Sequence, residues 1–182
     1  RGARDHHISE KAASRLAGSI DAKSPFQSFA EPINVVADLL KEPIMAETAY
    51  IAANRTPTLA EYMQLRAAAG LSPFSEEAAT KGLAGTVFAV VIEQGNRAVG
   101  MGRVIGDGGC FFQIVDIAVD PADQGQGLGK TIMGELMEFV TSHLPASAYV
   151  SLIADVPANR LYEKFGFVET APRSVGMARR VR

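Results

Sequence analysis

The chain has 182 residues, 47% apolar and 21% charged, a composition that supports a hydrophobic core and excludes a disordered chain. Eighteen Lys plus Arg against twenty Asp plus Glu leave a net charge of −2, which argues against nucleic acid as a partner, and no apolar run is long enough to cross a bilayer. The single cysteine, Cys110, excludes an internal disulfide and a cysteine-based metal cluster.

Residues 1–46 read as an extension and residues 47–182 as the working domain. The extension balances six basic against six acidic side chains and turns at Ser24-Pro25 and Glu31-Pro32. Apolar spacing predicts short helices at Ile8–Leu16 and Ile33–Leu40, and there is no apolar stretch typical of a secretory signal. The domain then opens with a short strand at Ala49–Ala53. An amphipathic helix follows at Leu59–Ala68, with Thr58 as its cap and Gly70 as its stop. Ser75–Leu83 reads as a second helix with Glu76 and Glu77 in its first turn.

Three strands come next. Val87–Glu93 and Ala98–Ile105 flank a Gly95-Asn96 hairpin turn, and Phe111–Val119 follows the glycines of 106–109. Gly127–His143 is a helix with Ile132, Leu136, Phe139 and Val140 on one face. A strand at Tyr149–Ala154, a helix at Pro157–Phe165, a strand near Phe167 and a last one at Val175–Ala178 complete the chain. The expected class is mixed α/β in the order β-α-α-β-β-β-α-β-α-β-β.

The most informative segment joins the third of these strands to the long helix: Asp116-Ile117-Ala118-Val119-Asp120-Pro121-Ala122-Asp123-Gln124-Gly125-Gln126-Gly127-Leu128-Gly129-Lys130. A glycine-rich turn into a helix leaves backbone N–H groups unpaired at the positive end of the helix dipole, an arrangement that cradles phosphate. The nucleotide-binding P-loop needs glycine where Gln124 stands, and the dinucleotide fingerprint needs its third glycine where Lys130 stands. Gln/Arg-x-x-Gly-x-Gly fits as Gln124, Gly127 and Gly129. Taken alone, the loop is equally compatible with a tight turn that binds nothing.

Downstream lies Ala158-Asn159-Arg160-Leu161-Tyr162-Glu163-Lys164-Phe165-Gly166-Phe167. Together with Asp116–Val119 and Gln124–Lys130, this segment resembles the GCN5-related N-acetyltransferase (GNAT) superfamily, and the resemblance spans most of Thr48–Val181. The loop wording is similar to the glucosamine-phosphate acetyltransferase branch, except that Val115 stands where those enzymes usually carry glutamate. The resemblance implies a fold with splayed central strands and acetyl-CoA as the acetyl donor. The backbone of Ile117, Ala118 and Val119 would pair with the pantetheine arm. The amides of Gln124, Gly125, Gln126, Gly127, Leu128, Gly129 and Lys130 would hold the pyrophosphate.

The same likeness makes Tyr162 the acid that protonates the departing sulfur; its other reading is a packed helix tyrosine. Asp116 is either the carboxylate that draws the amine's proton, its pKa raised by the apolar Phe112, Ile114 and Ala118, or a structural aspartate. Asn159 is a further cofactor-contact candidate, whereas Asp155 reads as the cap of the Pro157 helix. Tyr62, Met63, Arg66, Phe74 and Arg103 would wall the acceptor pocket, a mixed set that suits a small primary amine better than a polycation. A protein or peptide amine is the alternative acceptor, and a non-catalytic acyl-CoA sensor the alternative function. The resemblance also implies a homodimer, and the lack of a signal or disulfides implies a cytoplasmic location.

Overall fold

The computed structural model describes residues 49–181. The expected extension at 1–46, its two helices and the boundary at 46/47 therefore lie outside the described residues. The elements are β1 (Tyr50–Ala53), α1 (Leu59–Ala68), α2 (Glu76–Ala84), β2 (Thr86–Gln94), β3 (Arg97–Gly106), β4 (Phe111–Val119), α3 (Leu128–His143), β5 (Tyr149–Ser151) and α4 (Asn159–Tyr162), with short 3-10 turns at Pro121–Asp123 and Glu163–Phe165. Local chemistry explains the helix starts. The Thr58 hydroxyl accepts from the Glu61 amide and the Glu61 carboxylate accepts from the Thr58 amide, a capping box; the Ser75 hydroxyl caps α2 through the Ala78 amide.

The strands form one five-stranded sheet in the order β1-β2-β3-β4-β5, antiparallel except for the parallel β4–β5 pair. Pleating sends alternate side chains to opposite faces, and each face is covered. On one, Leu128, Ile132, Met133 and Leu136 of α3 pack against Val90, Ile92, Val104, Phe112 and Ile114. On the other, Tyr62 and Leu65 of α1 and Ala79 of α2 pack against Met101 and Ala118. Gly102 marks the close approach of α3, since a Cβ there would lie 2.5 Å from Ile132 Cγ2. Each fully buried aliphatic side chain contributes about 1.5–3 kcal/mol of transfer free energy, so this double-faced packing holds the sheet.

The C-terminal part departs from the sequence expectation. The strand expected at 149–154 ends at Ser151, and the helix expected from Pro157 starts at Asn159. No strand forms near Phe167 or at Val175–Ala178. Pro172 cannot donate to a ladder, and Val168, Val175 and Met177 stay 83%, 68% and 90% exposed. An apolar alternation specifies a strand only where one face is buried.

Candidate active site

One extra residue in β4 creates the site. Arg103 pairs with Val115 and Met101 with Ala118, so Gly102 faces both Asp116 and Ile117, and Asp116 takes φ +58°. A left-handed non-glycine residue costs about 1–3 kcal/mol and persists only where its surroundings fix it. Here three donors do so. The Asp116 carboxylate accepts from Arg103 Nε at 2.8 Å, from the Tyr62 hydroxyl at 3.2 Å and from Arg66 Nη1. The three charged side chains of this cluster are 6–8% exposed. The apolar surroundings expected for Asp116 are thus replaced by two guanidinium groups and a phenol, because the bulge breaks the alternation on which that expectation rested.

β4 and β5 pair only from Phe111–Gln113 to Tyr149–Ser151. β5 ends there, and the β5-facing edge of residues 114–119 has no strand partner among the described residues, an unpaired edge where the splay was expected. The turn that follows is pinned at several points. Asp120 accepts from the Ala122 amide at 3.0 Å, and the buried Asp123 accepts from the Tyr50 hydroxyl at 3.1 Å and from Arg97 Nη2 at 2.9 Å. Gln124 Nε2 donates to the Val119 carbonyl at 3.2 Å, tying the loop back to the strand. Gly125 and Gly127 then adopt φ +80° and +79°, Gly127 as the N-cap of α3. A Cβ at either would meet nothing within 4 Å, so the dihedral, rather than crowding, selects glycine. The amides of Gly125 through Gly129 have no backbone acceptor among the described residues.

The splay and this loop enclose a groove of about 660 Å³. Asp116, Ile117, Ala118 and Val119 line one wall; Gln124, Gly125, Gly127, Leu128, Gly129 and Lys130 line the floor; Asp155 and Tyr162 stand opposite. A polar, amide-lined cleft ending at an unpaired strand edge fits a phosphorylated ligand with an amide-bearing arm. Gln126 lies outside this lining, and Asn159 donates Nδ2 to Glu163 Oε1 at 3.2 Å and faces a neighbouring cavity of about 320 Å³. Tyr162 borders both spaces. Its hydroxyl has no hydrogen-bond partner among the described residues, and burial, then the charge of Asp155, raises its pKa above that of an ordinary tyrosine. The expected side-chain cap from Asp155 does not form: only its carbonyl is engaged, by the Ala158 amide at 2.6 Å.

In the sequence, Arg66 and Arg103 of this cluster stood as separate pocket-wall residues and Asp116 as a candidate base or structural aspartate, with nothing joining them. Its signal is Arg103 inside the apolar run of 99–105, because a charge in mid-strand must find a buried partner. Nothing in the spacing marks Asp123 as the buried anchor of the loop.

A family model described as an acetyltransferase (GNAT) domain matches residues 58–177. The GCN5-related N-acetyltransferase 2, chloroplastic, of Arabidopsis thaliana is 32% identical over 83 residues, covering 46% of this chain and 31% of that protein. The chain thus spans under a third of that relative's length. Among solved structures, a protein of unknown function from meticillin-resistant Staphylococcus aureus is 48% identical, with a TM-score of 0.70 over 73% of this chain and all of that one. A GNAT family acetyltransferase from Streptococcus pneumoniae shares the fold at 22% identity, with a TM-score of 0.61 over 74% of this chain and 99% of that one.

Proposed function

The chain belongs to the GNAT acetyltransferase family, and on that premise we propose that it moves an acetyl group from acetyl-CoA directly to a primary amine of a small molecule. One observation carries this reading: the free amides of Gly125–Gly129 and the unpaired edge of β4 line one groove, with Tyr162 opposite. In this reading, the amides hold the pyrophosphate with Lys130 at the helix start, and the backbone of Ile117, Ala118 and Val119 pairs with the pantetheine arm. Gln124 keeps the loop in place instead of offering its amide: its Nε2 donates to the Val119 carbonyl and its amide to the Pro121 carbonyl at 3.4 Å.

When bound, acetyl-CoA supplies an acetyl thioester whose carbonyl carbon takes the amine nitrogen as the carbon–sulfur bond breaks. The nitrogen loses two protons between ammonium and amide, and the departing sulfur takes one up. An alkylamine with pKa about 10 is neutral in about one molecule per thousand at pH 7, so it must shed a proton before attack. The departing thiolate, with thiol pKa about 8.5, needs one. Tyr162 keeps its phenol protonated through neutral pH and donates to the sulfur. Asp116 acts here as a positioning residue, with both oxygens engaged by guanidinium groups at the bulge; the two protons leaving the nitrogen pass through water in the groove, and one of them restores the Tyr162 phenol.

The domain at 47–182 carries the activity in this reading, as a cytoplasmic homodimer. The exposed Val156, Val168, Val175 and Met177 give a partner copy apolar surface to cover, and a single-chain mass in light scattering would remove the dimer. A thiol-release assay across amines, sugar phosphates and peptides tests the function. Turnover with small amines supports it, turnover with peptides alone moves the acceptor to proteins, and binding of acetyl-CoA without any turnover leaves a sensor.

A further inference from the structure

A cavity of about 640 Å³ lies on the sheet face that α2 covers, lined by Lys81 and Gly82 of α2, Arg103 of β3, Gln113 of β4, and Tyr149 and Ser151 of β5. Gln113 and Ser151 are the last paired residues of β4 and β5, and the cofactor groove begins one residue further along each strand, at Ile114 and Leu152. Arg103 of this cavity donates Nε to Asp116 of the groove wall at 2.8 Å, so the two spaces flank one ion pair. A volume of this size suits a small molecule.

Charge around this cavity is unbalanced. Arg66 and Arg103 share one carboxylate, Asp116, which leaves one positive charge uncompensated in a buried cluster. Arg103 spends Nε on Asp116 and Nη1 on the Gly82 carbonyl at 3.1 Å and the Thr86 hydroxyl at 2.7 Å. Its Nη2 has no acceptor among the described residues, and Arg66 Nε is buried without a partner. The cost of a buried unpaired donor, about 1–3 kcal/mol, falls on Arg66 Nε, while Arg103 Nη2 is the donor of the cluster that can meet an acceptor from this cavity. Lys81 adds a second cation at the rim, paired only with Glu77 on the exposed helix face. The one carboxylate in the wall, Asp107, is turned into its own loop, where Oδ1 accepts from the amides of Gly109, Cys110 and Phe111.

We propose that the amine acceptor also carries an anionic group, a carboxylate or a phosphate, and that Arg103 receives that group from this cavity. The inference rests on the acetyltransferase reading and narrows its substrate class. The two free N–H groups of Arg103 Nη2 can donate to either anion, and the Arg103–Asp116 pair sets that anion beside the groove. Arg103 is then the residue that sets specificity.

The test uses the full chain with acetyl-CoA and matched amines: 5-aminopentanoate against pentylamine, and 3-aminopropyl phosphate against 3-aminopropanol. The anionic member of at least one pair is expected to show a kcat/KM at least tenfold above its neutral partner, and the favoured pair identifies the anion. Arg103→Lys, which keeps the charge and loses the free Nη2 donor, should shrink that ratio severalfold. Lys81→Glu, at an exposed position that folding does not depend on, should do the same. Equal rates within both pairs, or faster neutral amines, overturn the inference and leave the transferase reading standing. No thiol release with any amine removes that reading, and this inference falls with it.

Discussion

A phenol buried beside a carboxylate holds its proton more tightly than one in water, and Tyr162 is in that position. Its pKa lies above the ordinary value of 10.0, so the proton is present at every pH below that value and is lost only above it. Tyr162→Phe keeps the ring and removes the donor. Its kcat should fall by about a hundredfold with the KM for acetyl-CoA within about twofold. An unchanged kcat with chemistry rate-limiting would take the acid role from Tyr162. The tyrosine was legible because Leu161-Tyr162-Glu163-Lys164-Phe165-Gly166-Phe167 is a continuous segment. The partners of Asp116 were not, since they come from α1 and β3 and depend on a left-handed residue that no spacing rule anticipates.

Among the elements, α1 shows how local chemistry is tied to the sheet. Arg55 holds Glu61 through two nitrogens, Nη1 at 2.8 Å and Nη2 at 2.7 Å, and reaches Glu93 of β2 through Nε at 2.8 Å. The hydrogen bonds from Arg55, and behind them those from Thr58, lower the Glu61 pKa from 4.5 to about 2. A folded pKa below the unfolded one stabilises above the unfolded value, and that stability is lost as pH falls from 4.5 towards 2. Thr58→Ala should cost about 1 kcal/mol in denaturant unfolding at pH 7. Glu61→Gln should destabilise at pH 7 and flatten the acid limb below pH 4.5; an acid limb identical to the parent's would show that Glu61 does not titrate with folding. Helix and strand limits through α3 follow their caps, glycines and apolar periods, so they were readable within a residue or two. The C-terminal segment was not. Val168 and Val175 look like strand residues, but nothing in the structure buries them.

For the whole molecule, sheet order, splay and loop act together. α1 and α3 cover opposite faces of the sheet, β4 pairs with β5 only as far as Gln113, the bulge at Asp116 follows, and the buried Asp123 fixes the turn into α3. The glycine-rich turn was legible in the sequence as a candidate anion site, whereas the unpaired edge of β4 was expected only through the family resemblance and follows physically from the strand pairing. The central claim is that this groove binds acetyl-CoA through the amides of the loop. Isothermal titration of acetyl-CoA into the intact chain and into Gly127→Ala, with both proteins checked for cooperative melting, tests it most directly. Saturable binding at one site per chain is expected, weakened at least tenfold in Gly127→Ala, where φ +79° disfavours a side chain. No heat with the intact chain, or equal affinity in the two folded proteins, would contradict it.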